Sequence, residues 1–88
     1  MKKSDLPTPG ILELDIHGMT KMQAKTLIGS RLKAIPKSAY RLRIIHGYHG
    51  GTELREMVRK DFRTNPKVLR VEVGLNPGET DLVLRELF

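Results

Sequence analysis

The chain alternates short segments with apolar residues at every second position and longer segments with apolar residues at helical spacing. From Ile11 onward, Leu12, Leu14 and Ile16 alternate with polar residues, which predicts a strand with one buried and one solvated face. A second apolar run at 42–45 predicts another strand. Both segments end in His-Gly, so this pair of residues occurs twice at equivalent places in the pattern.

Two amphipathic helices are predicted to follow these strands. Thr20 is a suitable N-cap for the first helix, whose apolar spacing continues until Pro36. The second helix is predicted to run from Glu53 to Phe62, before the helix-breaking pair Asn65-Pro66.

Two more strands complete the pattern. Leu69, Val71 and Val73 are predicted to point inward on the third strand, and a turn at 76–78 leads to a last strand at 82–87. The order is therefore βαβαββ. Right-handed crossovers would place both helices on one face of the sheet. The opposite face is then charged, with Glu13, Arg41, Arg43, Arg70, Glu72 and Arg85 as its expected residues.

Length and composition limit the class of protein. At 88 residues the chain is one small domain, with residues 1–10 read as a flexible leader and 11–88 as the folded part. The absence of cysteine excludes a disulfide partner and thiolate chemistry. No apolar run is long enough for a signal peptide or a membrane span, so we expect a cytoplasmic protein.

The net charge of +6 is concentrated in one segment. Residues 20–45 hold seven bases and no acid, whereas the rest of the chain holds nine bases and ten acids. Such a single-sign patch suits a polyanion such as nucleic acid or the ribosome. A solvated helix face that happens to be basic remains the alternative.

The two His-Gly pairs are the candidate chemical centre. His17 and His46 lie about 30 residues apart, the length of one βαβ unit, so both are expected at the carboxyl edge of parallel strands. Asp15 is two residues before His17 and shares its face of the strand, where its carboxylate can orient the imidazole for acid-base work. A histidine bonded to its local backbone, beside a solvated aspartate, is the alternative.

The segment after His46 is rich in glycine and lies between a strand and a helix. It is predicted to form an anion cradle, because glycines allow close approach of the backbone and a helix N-terminus favours phosphate. Ordinary turn structure remains the alternative. Tyr48 can either stack on a base or be an exposed loop aromatic.

The spacing of the histidines does not suit a structural zinc site, and no metal ligand set is assigned. A loosely held Mg²⁺ on Asp15 and a substrate phosphate stays open.

Several motifs resemble those of the Smr (small MutS-related) domain family. Leu14-Asp15-Ile16-His17-Gly18 is similar to its Leu-Asp-x-His-Gly motif. Ile45-His46-Gly47, followed by Gly50-Gly51 and Leu54-Arg55, resembles its second motif. The ending Asn76-x-Gly78-x-Thr80 is also similar, so the resemblance covers about residues 11–87.

The resemblance implies an α+β two-layer sandwich with a mixed four-stranded sheet, like the C-terminal domain of bacterial translation initiation factor three. It also implies endonuclease activity on DNA or RNA, with Asp15, His17, His46 and Gly47 as functional residues. Where the family has Lys then Gly after His-Gly, this chain has Tyr48 then His49 and a loop one residue longer. His49 and Lys25 are the candidates to replace that lysine.

Three functions follow as hypotheses. The first is an endonuclease with Asp15, His17 and His46 as catalytic residues. The second is a non-catalytic nucleic-acid or ribosome adaptor, and the third is a protein-interaction module that uses the open sheet face. The expected phosphate or nucleic-acid contacts are Gly18, Lys25, Arg41, Arg43, Gly47, Tyr48, His49, Gly50 and Gly51.

Overall fold

Four strands and two helices form two layers. The computed structural model describes residues 10–47, 52–73 and 76–86. The elements are β1 (Ile11–Asp15), α1 (Lys21–Lys33), β2 (Arg41–Ile45), α2 (Thr52–Asp61), β3 (Arg70–Val73) and β4 (Glu79–Val83). In these ranges, neither helix has the length and apolar character needed to cross a membrane. The predicted leader lies almost wholly outside the described residues and stays a prediction.

The sheet is mixed, with strand order β1-β2-β4-β3. β1 and β2 are parallel, and β4 runs antiparallel between β2 and β3. The first three strands therefore run the same way, as two crossover connections require. The βαβαββ order and the α+β class predicted from the sequence are confirmed.

Helix α1 begins as the sequence predicts and ends earlier. The Thr20 hydroxyl accepts from the Gln23 N–H while the Gln23 side chain accepts from the Thr20 N–H, which is a capping box. The helix ends at Lys33 with Ala34 as its C-cap, short of the predicted end at Pro36. A residue that precedes proline is disfavoured in helical conformation, so the helix must end before Pro36.

One apolar core lies between the sheet and the two helices. It is built by alternate residues of the central strands and by the inward faces of both helices: Leu14, Ile16, Ala24, Ile28, Leu32, Leu42, Ile44, Leu54, Met57, Val58, Phe62, Val68 and Leu82. Its strand residues come from β1, β2 and β4 and the residue after β1, and both helices cover this one face. Leu12, predicted to point inward from β1, is 36% exposed.

The last two strands differ from their predictions. Leu69 and Val73 are 52% and 66% exposed, because β3 is an edge strand while α2 packs on β4. The fourth strand occupies 79–83 instead of 82–87. It starts early because the Asn76 side chain and carbonyl accept from the N–H groups of Gly78 and Glu79 and close the turn at once.

The open face of the sheet carries a charged row across the four strands. The register aligns Glu13 with Arg43, Arg43 with Asp81, and Asp81 with Glu72. The charged residues that the sequence predicts for this face therefore lie on it, apart from Arg85, which lies beyond β4. Asp81 also lies on this face and was not predicted there.

Candidate functional site

The two His-Gly turns meet at one edge of the sheet. The N–H of Ile16 donates to the carbonyl of Ile45 at 2.9 Å, so the parallel pairing continues beyond β1. Gly18 and Gly47 both have left-handed backbones, with φ of +81° and +87°. A Cβ on Gly47 would lie 3.5 Å from the Cβ of His17, so the second turn rests against the first histidine. The two His-Gly pairs that repeat in the sequence thus also share a backbone conformation, and the predicted convergence of the two segments is observed.

Asp15 and His17 form an exposed pair at this edge. Asp15 Oδ1 accepts from the backbone N–H of His17 at 3.0 Å and lies 2.6 Å from His17 Nδ1. The two side chains are 50% and 69% exposed. The His17 ring, and then its backbone N–H, hold the pKa of the Asp15 carboxyl below its ordinary value. The carboxylate therefore holds Nδ1 and leaves Nε2 as the nitrogen available for chemistry.

His46 has a different environment, because its side chain is buried at 1% exposure. Its Nδ1 lies 3.2 Å from the Gly47 carbonyl, and its Nε2 lies 2.9 Å from Thr80 Oγ1. A carbonyl only accepts, so Nδ1 carries the proton and Nε2 accepts from the Thr80 hydroxyl. Arg59 Nε donates to the same hydroxyl oxygen at 3.1 Å. Both ring nitrogens are therefore engaged within the protein, on the core side of the edge.

Burial, opposed in part by the bond to Gly47, lowers the pKa of His46, and the positive charges of Arg59 and Arg55 lower it further. A neutral ring is what its hydrogen bonds require. The N–H groups of His46 and Gly47 both donate to the carbonyl of Gly78, at 2.9 and 3.0 Å, which fixes this turn against β4.

This environment predicts a pH dependence of stability. A histidine with a depressed folded-state pKa leaves stability unaffected above its unfolded pKa of about 6.5 and reduces it as the pH falls below that value. We expect the free energy of unfolding to decline between about pH 6.5 and 5, and the decline to be shallower in His46→Gln. Chemical denaturation at a series of pH values measures both slopes. Equal slopes in the two proteins would contradict the assignment of this decline to His46.

Replacement of Gly47 by alanine is expected to lower the free energy of unfolding by about 1–2 kcal/mol, since a side chain is disfavoured in the left-handed region. Gly29 provides the matched control, because it lies in α1 and a Cβ there meets nothing within 4 Å. Gly29→Ala should stabilise the protein by about 0.5–1 kcal/mol. Urea denaturation compares the two variants, and a neutral Gly47→Ala would contradict the expected strain.

Arg41 and Arg43, two of the expected phosphate contacts, lie on the open face. Asp81, with its side chain 3% exposed, accepts from Arg41 Nη1 at 2.7 Å and from Arg43 Nε and Nη2 at 3.0 and 3.2 Å. These bonds raise the pKa of both guanidinium groups. Each arginine therefore has a carboxylate partner within the chain.

Lys25, another expected phosphate contact, lies on α1 and pairs with Asp61 of α2 at 3.4 Å. A groove of about 670 Å³ runs between the two helices at this point. Its lining includes three lysines and three acids, namely Lys21, Lys25, Lys60, Glu53, Glu56 and Asp61. The groove is thus balanced in charge, and the structure does not join Lys25 to the Asp15–His17 pair.

The remaining candidates in the glycine-rich loop, at positions 48–51, lie outside the described residues. Among the residues that the structure does describe, no group of three or more acidic or histidine side chains is placed to hold a metal ion.

Sequence reasoning assigned no role to Thr80, Arg59, Gly78 or Asp81. Two of them belong to the ending Asn76-x-Gly78-x-Thr80, so that motif was the available signal. Arg59 lies on α2 one turn after Arg55 and gives no signal of its own. Asp81 looks like an ordinary surface acid until its cross-strand neighbours are known.

Fold and site together define a class of protein. It is a two-layer α+β domain with two His-Gly turns at one edge of the sheet, and one of these turns carries an exposed aspartate–histidine pair. The chain belongs to the Smr domain family, whose model matches residues 14–78. This is a nucleic-acid-binding, nuclease-related family. The crystal structure of the Smr domain of Thermus thermophilus MutS2 is similar, with a TM-score of 0.72 and 26% identity over 85% of this chain and 99% of that one. No curated protein sequence matches the chain significantly.

Proposed function

We propose that this domain binds nucleic acid at the edge formed by the two His-Gly turns and cleaves it there with Asp15 and His17. The observation that carries the proposal is the 2.6 Å contact of Asp15 Oδ1 with His17 Nδ1 in an exposed pair beside Gly47. An oriented imidazole with one free nitrogen is what a general base needs.

On RNA, the proposed step is attack by the ribose 2′-hydroxyl. Its proton passes to His17 Nε2 while the 2′-oxygen bonds to phosphorus. The bond from phosphorus to the 5′-oxygen breaks, and that oxygen takes a proton from solvent. Asp15 stabilises the imidazolium that forms, since its carboxylate remains on Nδ1.

His46 is proposed to act as a positioning residue and not as a direct phosphate ligand, because its ring is buried and engaged by Thr80 and Gly47. It fixes the backbone of the second turn, which in turn borders His17. Arg55 and Arg59, whose charges act on His46, supply positive potential close to this edge.

The open sheet face is a poor surface for a polyanion. Its described residues Arg41, Arg43 and Arg70 are matched by five acids, Glu13, Asp15, Glu72, Glu79 and Asp81. Phosphate binding requires unpaired bases that can release counterions. The edge near α2 is therefore the proposed binding surface, and this argues against the open face as the site of nucleic-acid contact.

A non-catalytic nucleic-acid adaptor is the second candidate. It is favoured by the finding that His17 is the one exposed imidazole among the described residues, so that no second acid-base histidine faces the substrate there. Binding without turnover is its prediction.

Incubation of the purified protein with matched RNA and DNA hairpins, with and without a chelator, tests the proposal. Metal-free cleavage that a 2′-deoxy substitution at the cut site abolishes supports the proposed step. Cleavage that the chelator stops indicates instead a water activated by a bound Mg²⁺. Tight, salt-sensitive binding with no cleavage of any substrate would favour the adaptor.

A further inference from the structure

Strand β3 is an edge strand with an apolar side that the helices leave exposed. Leu69 and Val73 are 52% and 66% exposed, and Val71 between them is half-buried. Among the residues that the structure describes, β3 is paired on its β4 side only. Edge strands of this kind offer their backbone groups to a further strand.

The backbone direction of β3 follows from the pairing of β4. The N–H of Leu84 donates to the carbonyl of Tyr40, and the N–H of His46 donates to the carbonyl of Gly78. The backbone groups of the even-numbered residues of β4 therefore point toward β2. Backbone groups alternate along an antiparallel strand, so the odd residues of β4 bond toward β3. By the register, Arg70 and Glu72 then bond inward to β4. The N–H and C=O groups of Val71 and Val73 are left pointing out of the sheet.

The side chains of β3 form a self-complementary sequence. If two copies pair antiparallel about a two-fold axis at Val71, Arg70 lies opposite Glu72 of the second copy. Leu69 precedes β3 and its N–H donates to the carbonyl of Val83, so it takes no part in this pairing. Val71 lies opposite itself, with its outward backbone groups in a directly hydrogen-bonded pair. Within β3, the axis therefore matches a base with an acid twice and Val71 with its own copy. Inside one chain, Arg70 pairs with Glu72 and Glu86, and Glu72 also pairs with Arg41, so the contacts across the axis would extend this charge network.

The opposite edge of the sheet shows the contrast. β1 carries Glu13 and Asp15 on one face, and two-fold pairing of that strand would oppose acid to acid. Like charges directly opposite destabilise strand pairing. β1 is thus protected against self-association in the way that β3 is not.

We propose that the chain self-associates through β3, in a two-fold antiparallel arrangement that joins two four-stranded sheets into one of eight strands. The interface is short, so association is expected to be weak and reversible, with a dissociation constant in the range of about 1 µM to 1 mM. The Asp15–His17 pairs lie beside the far edges of the joined sheet and remain open, so the dimer presents two sites.

Charge reversal tests this interface without changing a core residue, although it also breaks the ion pairs of Arg70 with Glu86 and of Glu72 with Arg41. Arg70→Glu and Glu72→Arg each place like charges opposite one another twice, and each should raise the dissociation constant at least about tenfold. An equimolar mixture of the two variants restores both opposite-charge pairs and should form a heterodimer. The double variant that exchanges the two residues restores both pairs across the axis but places a base beside Arg41, so its dissociation constant should lie between those of wild type and the single variants.

Sedimentation velocity over a concentration series up to about 1 mM measures the association, and thermal unfolding confirms that each variant is folded. Glu13→Arg on β1 is the matched control and should leave the dissociation constant unchanged. A monomeric wild type at every concentration overturns the proposal, as does a dimer that both single variants leave intact. A mixture that associates no better than its components overturns it equally.

Discussion

His17→Ala is expected to reduce cleavage of the hairpin substrate at least about a hundredfold while the affinity for that substrate changes little. The ring is exposed and makes no contribution to the core cluster, so its removal deletes the proposed base without disturbing the fold. Asp15→Ala should reduce the rate in the same direction, because it removes the carboxylate that orients Nδ1. Gel assays under single-turnover conditions measure the rate, and fluorescence anisotropy measures the affinity.

Glu13→Ala is the matched control for Asp15→Ala. Glu13 is an exposed carboxylate on the same strand and the same face, two residues earlier, so its loss changes the net charge equally. It should leave the cleavage rate within about twofold of wild type, as expected for a surface change away from the reacting atoms. Cleavage that persists at the wild-type rate in His17→Ala would exclude the proposed mechanism and leave binding alone to explain the site.

Most of the fold could be predicted because alternation along a strand reports directly on its faces. Leu14 and Ile44 are neighbours in the sheet, and both were readable as inward residues from their own segments. The crossover rule then supplied the parallel pairing and the single helical layer. The two strands of lower apolar content were less well predicted, since Thr80 is polar and fully buried.

The exposure of Leu69 and Val73 illustrates what a sequence pattern leaves out. The alternation places Val73 on the side of the sheet that carries Leu82 and Thr80, whereas Leu69 lies before the strand. Burial also depends on whether a helix covers that side. Strand order decides this, and the position of β4 between β2 and β3 is a property of the whole chain.

The candidate site was predictable to a similar extent. Asp15 and His17 are two residues apart, so local geometry alone brings them together. His46 was predicted to share the edge, and it does, but its burial depends on Thr80, a residue 34 positions further along the chain. Likewise, the surplus of positive charge in 20–45 includes two arginines whose carboxylate partner lies 38 to 40 residues away.

Asp81→Ala is expected to lower the free energy of unfolding by about 2–4 kcal/mol. Removal of one member of a buried ion pair costs roughly 3–5 kcal/mol when the remaining charge stays buried. Arg41 and Arg43 are 21% and 29% exposed, so water can partly replace the lost carboxylate and bring the cost toward the lower end. Asp81→Asn keeps an acceptor in place and should be intermediate. Urea denaturation at neutral pH provides the comparison.

Glu13→Ala serves again as the control, since it lies in the same cross-strand row beside Arg43 but is exposed, and it should change stability by less than about 0.5 kcal/mol. The Asp81 variant should also bind polyanions more tightly and with a steeper salt dependence, because two guanidinium groups lose the carboxylate they share and keep only Glu72 and Glu79 as partners. An Asp81→Ala protein as stable as the Glu13 variant, with unchanged affinity for RNA, would mean that the two arginines are not held by Asp81. The arginines of the open face would then be available to nucleic acid.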